Sequence, residues 1–403
     1  MDLFDLITSI IKGLAFPLIP LTLVPVIVLF ERKIIGWVQE RPGPNRVGPW
    51  GVVQAVADAA KLIFKEDLRP AGAIAFLHTL APALTIVTTF LTLSVVPFGP
   101  KLSFEFDGVM RTVSMSVLDL NLGLVFFLSI TSISIYGIIL AGWSSNNKYS
   151  LLGGLRSSAQ MVSYEINLSF TLACVLILAG SFDVYDIVEA QQGGFLNWFI
   201  WRQPLAFLLF FIAQIAETNR LPFDLPEGES ELTGGFHTEY SGMKFAMFFM
   251  AEYISMFVMA ALVSVLFLGG FQGPVALPVS EWIGGPAWLT QALNALIGLF
   301  WLIAKIAGQI FFMIWMRATL PRLRYDQLMS LGWKVMFELA TINLIYTAAV
   351  QLMFGSNPMP LFTIPFLGTI SVQWIVLFAL GAGVIAGVEL LTQAYRRRTL
   401  NAC

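Results

Sequence analysis

The residues best able to do chemistry in this 403-residue chain are carboxylates. The richest segment reads Ala216-Glu217-Thr218-Asn219-Arg220-Leu221-Pro222-Phe223-Asp224-Leu225-Pro226-Glu227-Gly228-Glu229-Ser230-Glu231-Leu232. From Glu217 to Glu239 lie six acids (Glu217, Asp224, Glu227, Glu229, Glu231, Glu239) and one arginine or lysine, Arg220. Crowded carboxylates repel, and where water is scarce their pKa values rise. Such groups hold protons near neutral pH and pass them on. Charge runs are more often solvated loops, but here the flanks are apolar and Pro222 and Pro226 stiffen a short path. Glu165, Glu252 and Glu389 fall within apolar runs. An ionisable residue there is a functional candidate by default; the plainer role is pairing with a base, expected for Glu389 because Arg396 is close. Lys305, also in an apolar run, either pairs with an acid or snorkels to the interface. Buried carboxylates in series are what a proton path requires.

Other chemistries find little support. The chain contains no dinucleotide fingerprint, phosphate loop, nucleophile elbow or His-Glu-x-x-His. Cys174 and Cys403 cannot supply a four-thiolate cluster site, and their settings make a structural disulfide unexpected. His78 and His237 are too few for a multi-histidine metal centre. Any electrons handled here must come from another chain.

The elements that position the acids follow from composition. Hydrophobic residues make up 57%, charged residues 12%, and mean hydropathy is +0.78. A soluble domain carries about 25% charged residues, so too little polar surface exists to clothe a water-soluble particle. The net charge of -2 and the lack of a basic tract exclude a disordered chain and a nucleic-acid binder. The expected fold is an all-α, polytopic integral membrane protein forming a single membrane domain over 1–403. A span needs roughly 20 apolar residues, and nine segments qualify: about 14–30, 74–98, 117–143, 160–182, 199–216, 244–268, 289–316, 333–354 and 373–393. The first is expected to remain as a span, since no small-residue cleavage site follows it. Eighteen of the 23 Lys and Arg residues fall after spans 1, 3, 5 and 7 or at the C-terminus, counting Lys244 and Lys334 at the adjoining span edges. That bias places the N-terminus outside and the C-terminus in the cytoplasm. The long loops 31–73 and 217–243 are then cytoplasmic.

The first of these loops opens with Glu31-Arg32-Lys33 and runs into Arg41-Pro42-Gly43-Pro44-Asn45-Arg46-Val47-Gly48-Pro49, too rich in proline and glycine for a regular helix. From about Gln54 a helical pattern resumes. Val52, Val56, Ala59 and Ile63 share one side, and Asp58, Lys61 and Lys65 another, as in an amphipathic helix lying along the interface or a plain surface helix.

Taken together, these motifs resemble one family. They are joined by Ala57-Asp58-Ala59-Ala60-Lys61, Arg156-Ser157-Ser158-Ala159-Gln160 with Ser163-Tyr164-Glu165, Phe248-Phe249-Met250-Ala251-Glu252-Tyr253, and Arg317-Ala318-Thr319-Leu320-Pro321-Arg322-Leu323-Arg324-Tyr325-Asp326-Gln327-Leu328-Met329. The chain resembles the H-type membrane subunits of the bacterial proton-pumping NADH-quinone oxidoreductase, respiratory complex I, over about 15–355. The helix at about 373–393 lies beyond that core.

The resemblance implies a multi-pass protein of the bacterial plasma membrane. It would join a peripheral arm, whose subunits carry flavin and iron–sulfur clusters, to small and antiporter-like membrane subunits. Its own ligands would be lipid and a quinone, ubiquinone or menaquinone, with no metal and no nucleic acid. Glu31, Arg32, Arg41, Asp58 and Phe249 would line the quinone path. Glu165, Glu217 and Glu252 would form a proton path toward the pumping subunits, with Glu227, Glu229 and Glu231 in the loop between the two. Arg220, Arg317, Arg322 and Arg324 would bind those acids or the peripheral subunits. Homologous subunits also serve F420H2- or ferredoxin-fed oxidoreductases and membrane-bound hydrogenases; the complete Arg-Pro-Gly-Pro-Asn and Glu-Gly-Glu-Ser-Glu motifs favour a quinone reductase. A stand-alone transporter would show inverted repeats and broken helices at mid-membrane, and neither is visible.

Overall fold

The computed structural model describes residues 3–106, 109–224, 233–275, 287–355, 360–364 and 368–401. Helices dominate: α1 (Leu3–Ala15), α2 (Leu18–Val38), α3 (Gln54–Phe64), α4 (Ala75–Leu93), α5 (Gly123–Ser144), α6 (Lys148–Ala179), α7 (Val184–Glu189), α8 (Phe199–Arg202), α9 (Pro204–Glu217), α10 (Gly242–Phe267), α11 (Ala287–Thr319), α12 (Tyr325–Ser330), α13 (Phe337–Phe354) and α14 (Val372–Asn401). Among the described residues, seven segments are helical, long and apolar enough to cross a membrane: Thr8–Val38, Ala75–Leu93, Gly123–Ser144, Lys148–Ala179, Gly242–Phe267, Trp288–Thr319 and Tyr325–Phe354. Pro204–Glu217 and Val372–Gly387 are apolar but shorter. The fifth expected span is broken because Gln203 precedes Pro204, and the residue before a proline is biased out of the helical region.

The chain is not wholly helical. Strands β1 (Leu102–Phe106) and β2 (Val109–Val113) form one antiparallel hairpin, and β3 (Pro360–Ile364) and β4 (Gly368–Ser371) another. In β1, Leu102, Phe104 and Phe106 alternate with Ser103 and Glu105, the period of two that a strand needs.

Helix α10 is the axis of packing. Every residue from Met256 to Phe267 is buried, as expected of a helix apolar all round. Helices α2, α4, α9 and α11 contact it, and α6 packs against α5, α9 and α13. By contrast, Phe300, Ile303 and Phe311 on α11 stand exposed. A soluble monomer rarely shows an apolar face that continuous; on a membrane span it meets lipid.

Among the described residues, Lys305 meets backbone carbonyls and no acid. Its ammonium donates to the carbonyls of Leu268, Gly270 and Gln272 at 2.5, 2.8 and 2.6 Å. The Trp198 ring centroid lies 4.2 Å away. These carbonyls belong to the turn that follows α10, where Gly269 and Gly270 take φ of 71° and 54°. A cation at that end also suits the helix dipole.

Candidate functional site

The motifs far apart in sequence converge on the segment after α9. Gln160, on α6, donates to the carbonyls of Ala216 and Phe223 at 2.8 and 3.0 Å. Asn219 donates to Ser157 at 3.3 Å, and the Leu323 amide to the Pro222 carbonyl at 3.1 Å. The Arg-Ser-Ser-Ala-Gln motif therefore works as a bracket that fixes the last residue of α9, Glu217, and the start of the acidic loop.

Around Arg220 sits a buried ion cluster. Arg220 Nη1 donates to Glu31 Oε1 and Oε2 at 3.2 and 3.3 Å. Its Nε lies 2.8 Å from Glu252 Oε1 as an ion pair. Tyr253 donates to Glu31 at 2.6 Å, and its ring lies 4.3 Å beneath the Arg220 guanidinium. Arg317 also pairs with Glu31. Two carboxylates and two guanidiniums balance, which is what makes their burial tolerable.

A small cavity of about 70 Å3 adjoins the cluster, its polar lining residues including Thr85, Thr89, Ser134, Glu217, Glu252 and Ser255. A water needs about 10–15 Å3 of such space, so the cavity has room for several waters. Glu217 is buried, and among the described residues its Oε2 has no hydrogen-bond partner. Glu165 takes hydrogen bonds from Ser132 and, at 3.5 Å, from Thr131. It lies within electrostatic range of Glu217.

A second, larger cavity of about 780 Å3 opens between α2, α3 and α10. Pro20, Val24, Leu62, Met247 and Phe249 give it an apolar lining, with Arg32, Asp58 and Lys61 at its charged part. Arg32 and Asp58 are paired at 2.5 Å. Helix α3 turns Ala55, Asp58, Ala59 and Leu62 toward this space and leaves Val56 and Phe64 exposed, so its apolar outer side suits a membrane interface.

Of the residues expected on the quinone path, Arg32, Asp58 and Phe249 line the large cavity. Glu31 is instead enclosed in the ion cluster, and Arg41 is exposed and donates to Gln39 at 2.8 Å. Of the expected proton-path acids, Glu217 and Glu252 line the small cavity and Glu165 lies beside it. Glu227, Glu229 and Glu231 lie outside the described residues, as does the expected pairing of Glu389. Among the arginines, Arg220 and Arg317 hold Glu31, Arg322 pairs with Asp224 at 3.4 Å, and Arg324 pairs with Asp326 at 3.4 Å.

Sequence reasoning missed the residues of the 3-10 turn Gly235–His237 and its surroundings. The His237 ring is caged by Phe236, Phe245 and Phe248, with centroids 3.9, 5.6 and 5.3 Å away. Tyr240 stacks on His78 at 4.1 Å and hydrogen-bonds Ser144 at 3.2 Å. The one sequence signal is position: a histidine just beyond an acidic run.

Comparison with known proteins follows the same residues. The model of the NADH dehydrogenase family matches residues 11–348. A Koribacter versatilis protein, named as H subunit 2 of NADH-quinone oxidoreductase, is 48% identical over 352 residues, 85% of this chain and 96% of that protein. One from Geobacter metallireducens, named as H subunit 1 of the same enzyme, is 48% identical over 333 residues, 83% and 93% of the two chains. One from Rhodospirillum centenum, named as its H subunit, is 46% identical over 353 residues, 88% and 96%.

Proposed function

This chain belongs to the NADH dehydrogenase family, and we propose that it forms the membrane wall of a quinone chamber in an NADH-quinone oxidoreductase. The observation that carries the reading is the large cavity between α2, α3 and α10. Its volume of about 780 Å3 falls in the range of small-molecule sites, about 300–1,000 Å3. A quinone is a flat ring with two carbonyl acceptors and an apolar tail. Apolar walls with Arg32 and Lys61 at one part suit both ends of such a molecule.

The chain acts as one subunit among several. The two electrons would come from peripheral partners that hold flavin and iron–sulfur clusters, and the quinone, as substrate, would take up two protons to become a quinol. Exposed Trp37 and Trp50 give the end of α2 and the segment after it an apolar surface for those partners. Glu165, Glu217 and Glu252, beside a cavity large enough for water, respond to the charge change and relay protons toward pumping subunits. The bracket from α6 and the Glu31–Arg220–Glu252 cluster hold that relay next to the chamber. Nine spans, the N-terminus outside and a bacterial plasma membrane complete the reading, with Pro204–Glu217 and Val372–Gly387 as the two short spans.

The test is occupancy. A photoreactive quinone analogue added to the assembled complex labels α3 or α10, an excess of unlabelled quinone prevents it, and Ala246→Trp raises the KM for quinone several-fold. Labelling confined to other subunits, together with an unchanged KM in Ala246→Trp, overturns the reading.

A further inference from the structure

Arg202 closes α8, two residues before the proline that opens α9. It is half-buried, yet among the described residues no carboxylate or carbonyl accepts from its guanidinium. Its Nε is shut off from solvent without a partner. What faces it is hydrocarbon: the Phe199 ring centroid lies 5.7 Å from the guanidinium carbon. The Nε1 of Trp201, on the adjoining residue, is a second buried donor without an acceptor. Arg220, Arg317 and Arg322 each meet a carboxylate of this chain; Arg202 does not. A cation drawn out of water without an anion is costly, so an anion from outside the chain is called for.

We propose that Arg202 anchors the headgroup of a bound membrane phospholipid, with its guanidinium on the phosphodiester and the acyl chains along α9 and α11. The inference does not rest on the quinone reading. Its basis is depth as well as charge. Trp198 and Trp201 flank the Phe195 ring at 5.0 and 5.1 Å, and Trp374 donates to the Leu196 carbonyl at 3.2 Å. Tryptophans gather where a membrane meets water, so Arg202 stands at headgroup level. From there α9 runs into the bilayer. Leu208 on it is exposed, as is Phe312 of α11, whose ring lies 5.5 Å from Phe211. A charged head and an apolar track thus follow one another in the order that a phospholipid needs.

The chemistry favours a phosphodiester. Its charge-sharing oxygens match the planar donor fork of a guanidinium, and basic residues between spans hold lipid headgroups in this way. The backbone that carries Arg202 is fixed on both sides. The Phe199 amide donates to Gln191 at 3.1 Å, and Gln203 donates to Thr347 on α13 at 2.8 Å. The chain's own C-terminal helix closes against the break, where a Cβ on Gly381 would sit 3.1 Å from Pro204. The guanidinium is thereby held at one depth instead of following its headgroup. In the orientation proposed above, that depth belongs to the outer leaflet.

The experiment uses the assembled complex in lipid nanodiscs and a phosphatidylglycerol with a photoreactive group near the top of one acyl chain. Labelled peptides are mapped by mass spectrometry. The expected label falls on α9 or α11. Excess unlabelled phosphatidylglycerol removes it, whereas diacylglycerol, which has the chains but no phosphate, and inorganic phosphate, which has no chains, leave it in place. Losing a charge-assisted hydrogen bond lowers occupancy about tenfold, so Arg202→Gln is expected to lose most of the label per assembled complex, and Arg202→Lys to keep more of it. Equal labelling of wild type and Arg202→Gln overturns the proposal. Competition by diacylglycerol as strong as by phosphatidylglycerol reduces the site to apolar contact, and competition by inorganic phosphate makes it a soluble-anion site; either result overturns it too. Where Arg202→Gln fails to assemble, the competition series on the wild-type complex decides. Quinone turnover plays no part in the readout, so failure of the quinone reading is a separate result.

Discussion

Tyr253 donates its hydroxyl proton to Oε2 of Glu31 across 2.6 Å. The two residues are 222 positions apart, and the contact ties the C-terminal half of α2 to the middle of the charged cluster. The same carboxylate accepts from Arg220 and Arg317, while Arg220 also faces Glu252 at 2.8 Å. One guanidinium therefore bridges two carboxylates on two helices, and Arg317 supplies the second positive charge.

Removing that guanidinium should be costly. Breaking a buried ion pair by deleting one partner costs about 3–5 kcal/mol, because the other charge stays buried. Arg220→Met is expected to deplete the assembled complex from membranes. Arg220→Lys is expected to do so nearly as severely, since a compact ammonium cannot span both carboxylates as the planar fork does. Native-gel quantification and thermal denaturation measure this. Wild-type levels in Arg220→Lys would show that bridging is dispensable.

Glu217 and Glu252 should separate under the same substitution. Among the described residues Glu217 Oε2 has no hydrogen-bond partner, so Glu217→Gln deprives no base of its acceptor there. It is expected to assemble at wild-type level and to lose most quinone reduction, proton pumping or both. Glu252→Gln removes the carboxylate that faces Arg220, so it should lower thermal stability as well as activity. Normal pumping and turnover in Glu217→Gln would take that residue off the proton path.

Much of the fold was legible in the apolar runs, because a bilayer leaves a polytopic chain few alternatives to helices. Helix ends were less so. Helix α6 begins at Lys148, not near 160, because its first turns carry Gly153, Gly154, Arg156 and Ser157, which look like a loop by composition. Helix α2 continues through Glu31, Arg32 and Lys33 to Val38, since a helix that leaves the bilayer need not stop being a helix. The acids were legible as acids, but their partners were not. The Arg220 contact to Glu31 joins residues 189 apart, and no local pattern encodes it. His237 was passed over for a related reason: only the folded chain shows that it lines both cavities.

Lys305 offers a test remote from the site. Its three carbonyl acceptors lie in the turn after α10. Lys305→Met keeps the length and removes all three donors. Each buried acceptor left unsatisfied costs about 1–3 kcal/mol, partly relieved where water reaches the turn. The complex is expected to denature several degrees lower while quinone turnover per assembled complex stays at the wild-type value. A loss of turnover at unchanged stability would move Lys305 into the coupling machinery.

Topology can be read by labelling introduced cysteines in a Cys403→Ser background, where the remaining Cys174 is buried. Arg69→Cys and Asp326→Cys, both at exposed positions, are expected to react with a membrane-impermeant maleimide only after the cells are opened. Met110→Cys, 66% exposed on β2, is expected to react from outside in intact cells. The physical basis is the asymmetry of Lys and Arg between the two sets of loops. Reaction of Arg69→Cys in intact cells would reverse the orientation.

The seat of the 3-10 turn makes the last prediction. A Cβ at Gly153 would come within 2.7, 2.9 and 3.0 Å of Gly235 Cα, Gly235 C and Phe236 N. All three are backbone atoms, so no side-chain rotation relieves the contact. Either α6 or the turn must move. Helix α6 is buried along much of its length and packed against three other helices, whereas the turn is three residues long and follows Gly234. The turn gives way, carrying Phe236 and His237 with it. Gly153→Ala is expected to cost about 1–3 kcal/mol through overpacking and to raise the KM for quinone, because His237 lines the large cavity. Gly308→Ala is the control. That helical glycine has nothing within 4 Å of its would-be Cβ, and replacing glycine by alanine there gains up to about 1 kcal/mol of helix propensity. If Gly153→Ala leaves thermal stability and KM where Gly308→Ala leaves them, the turn is not seated on α6 as described, and the placement of His237 beside the large cavity loses its anchor.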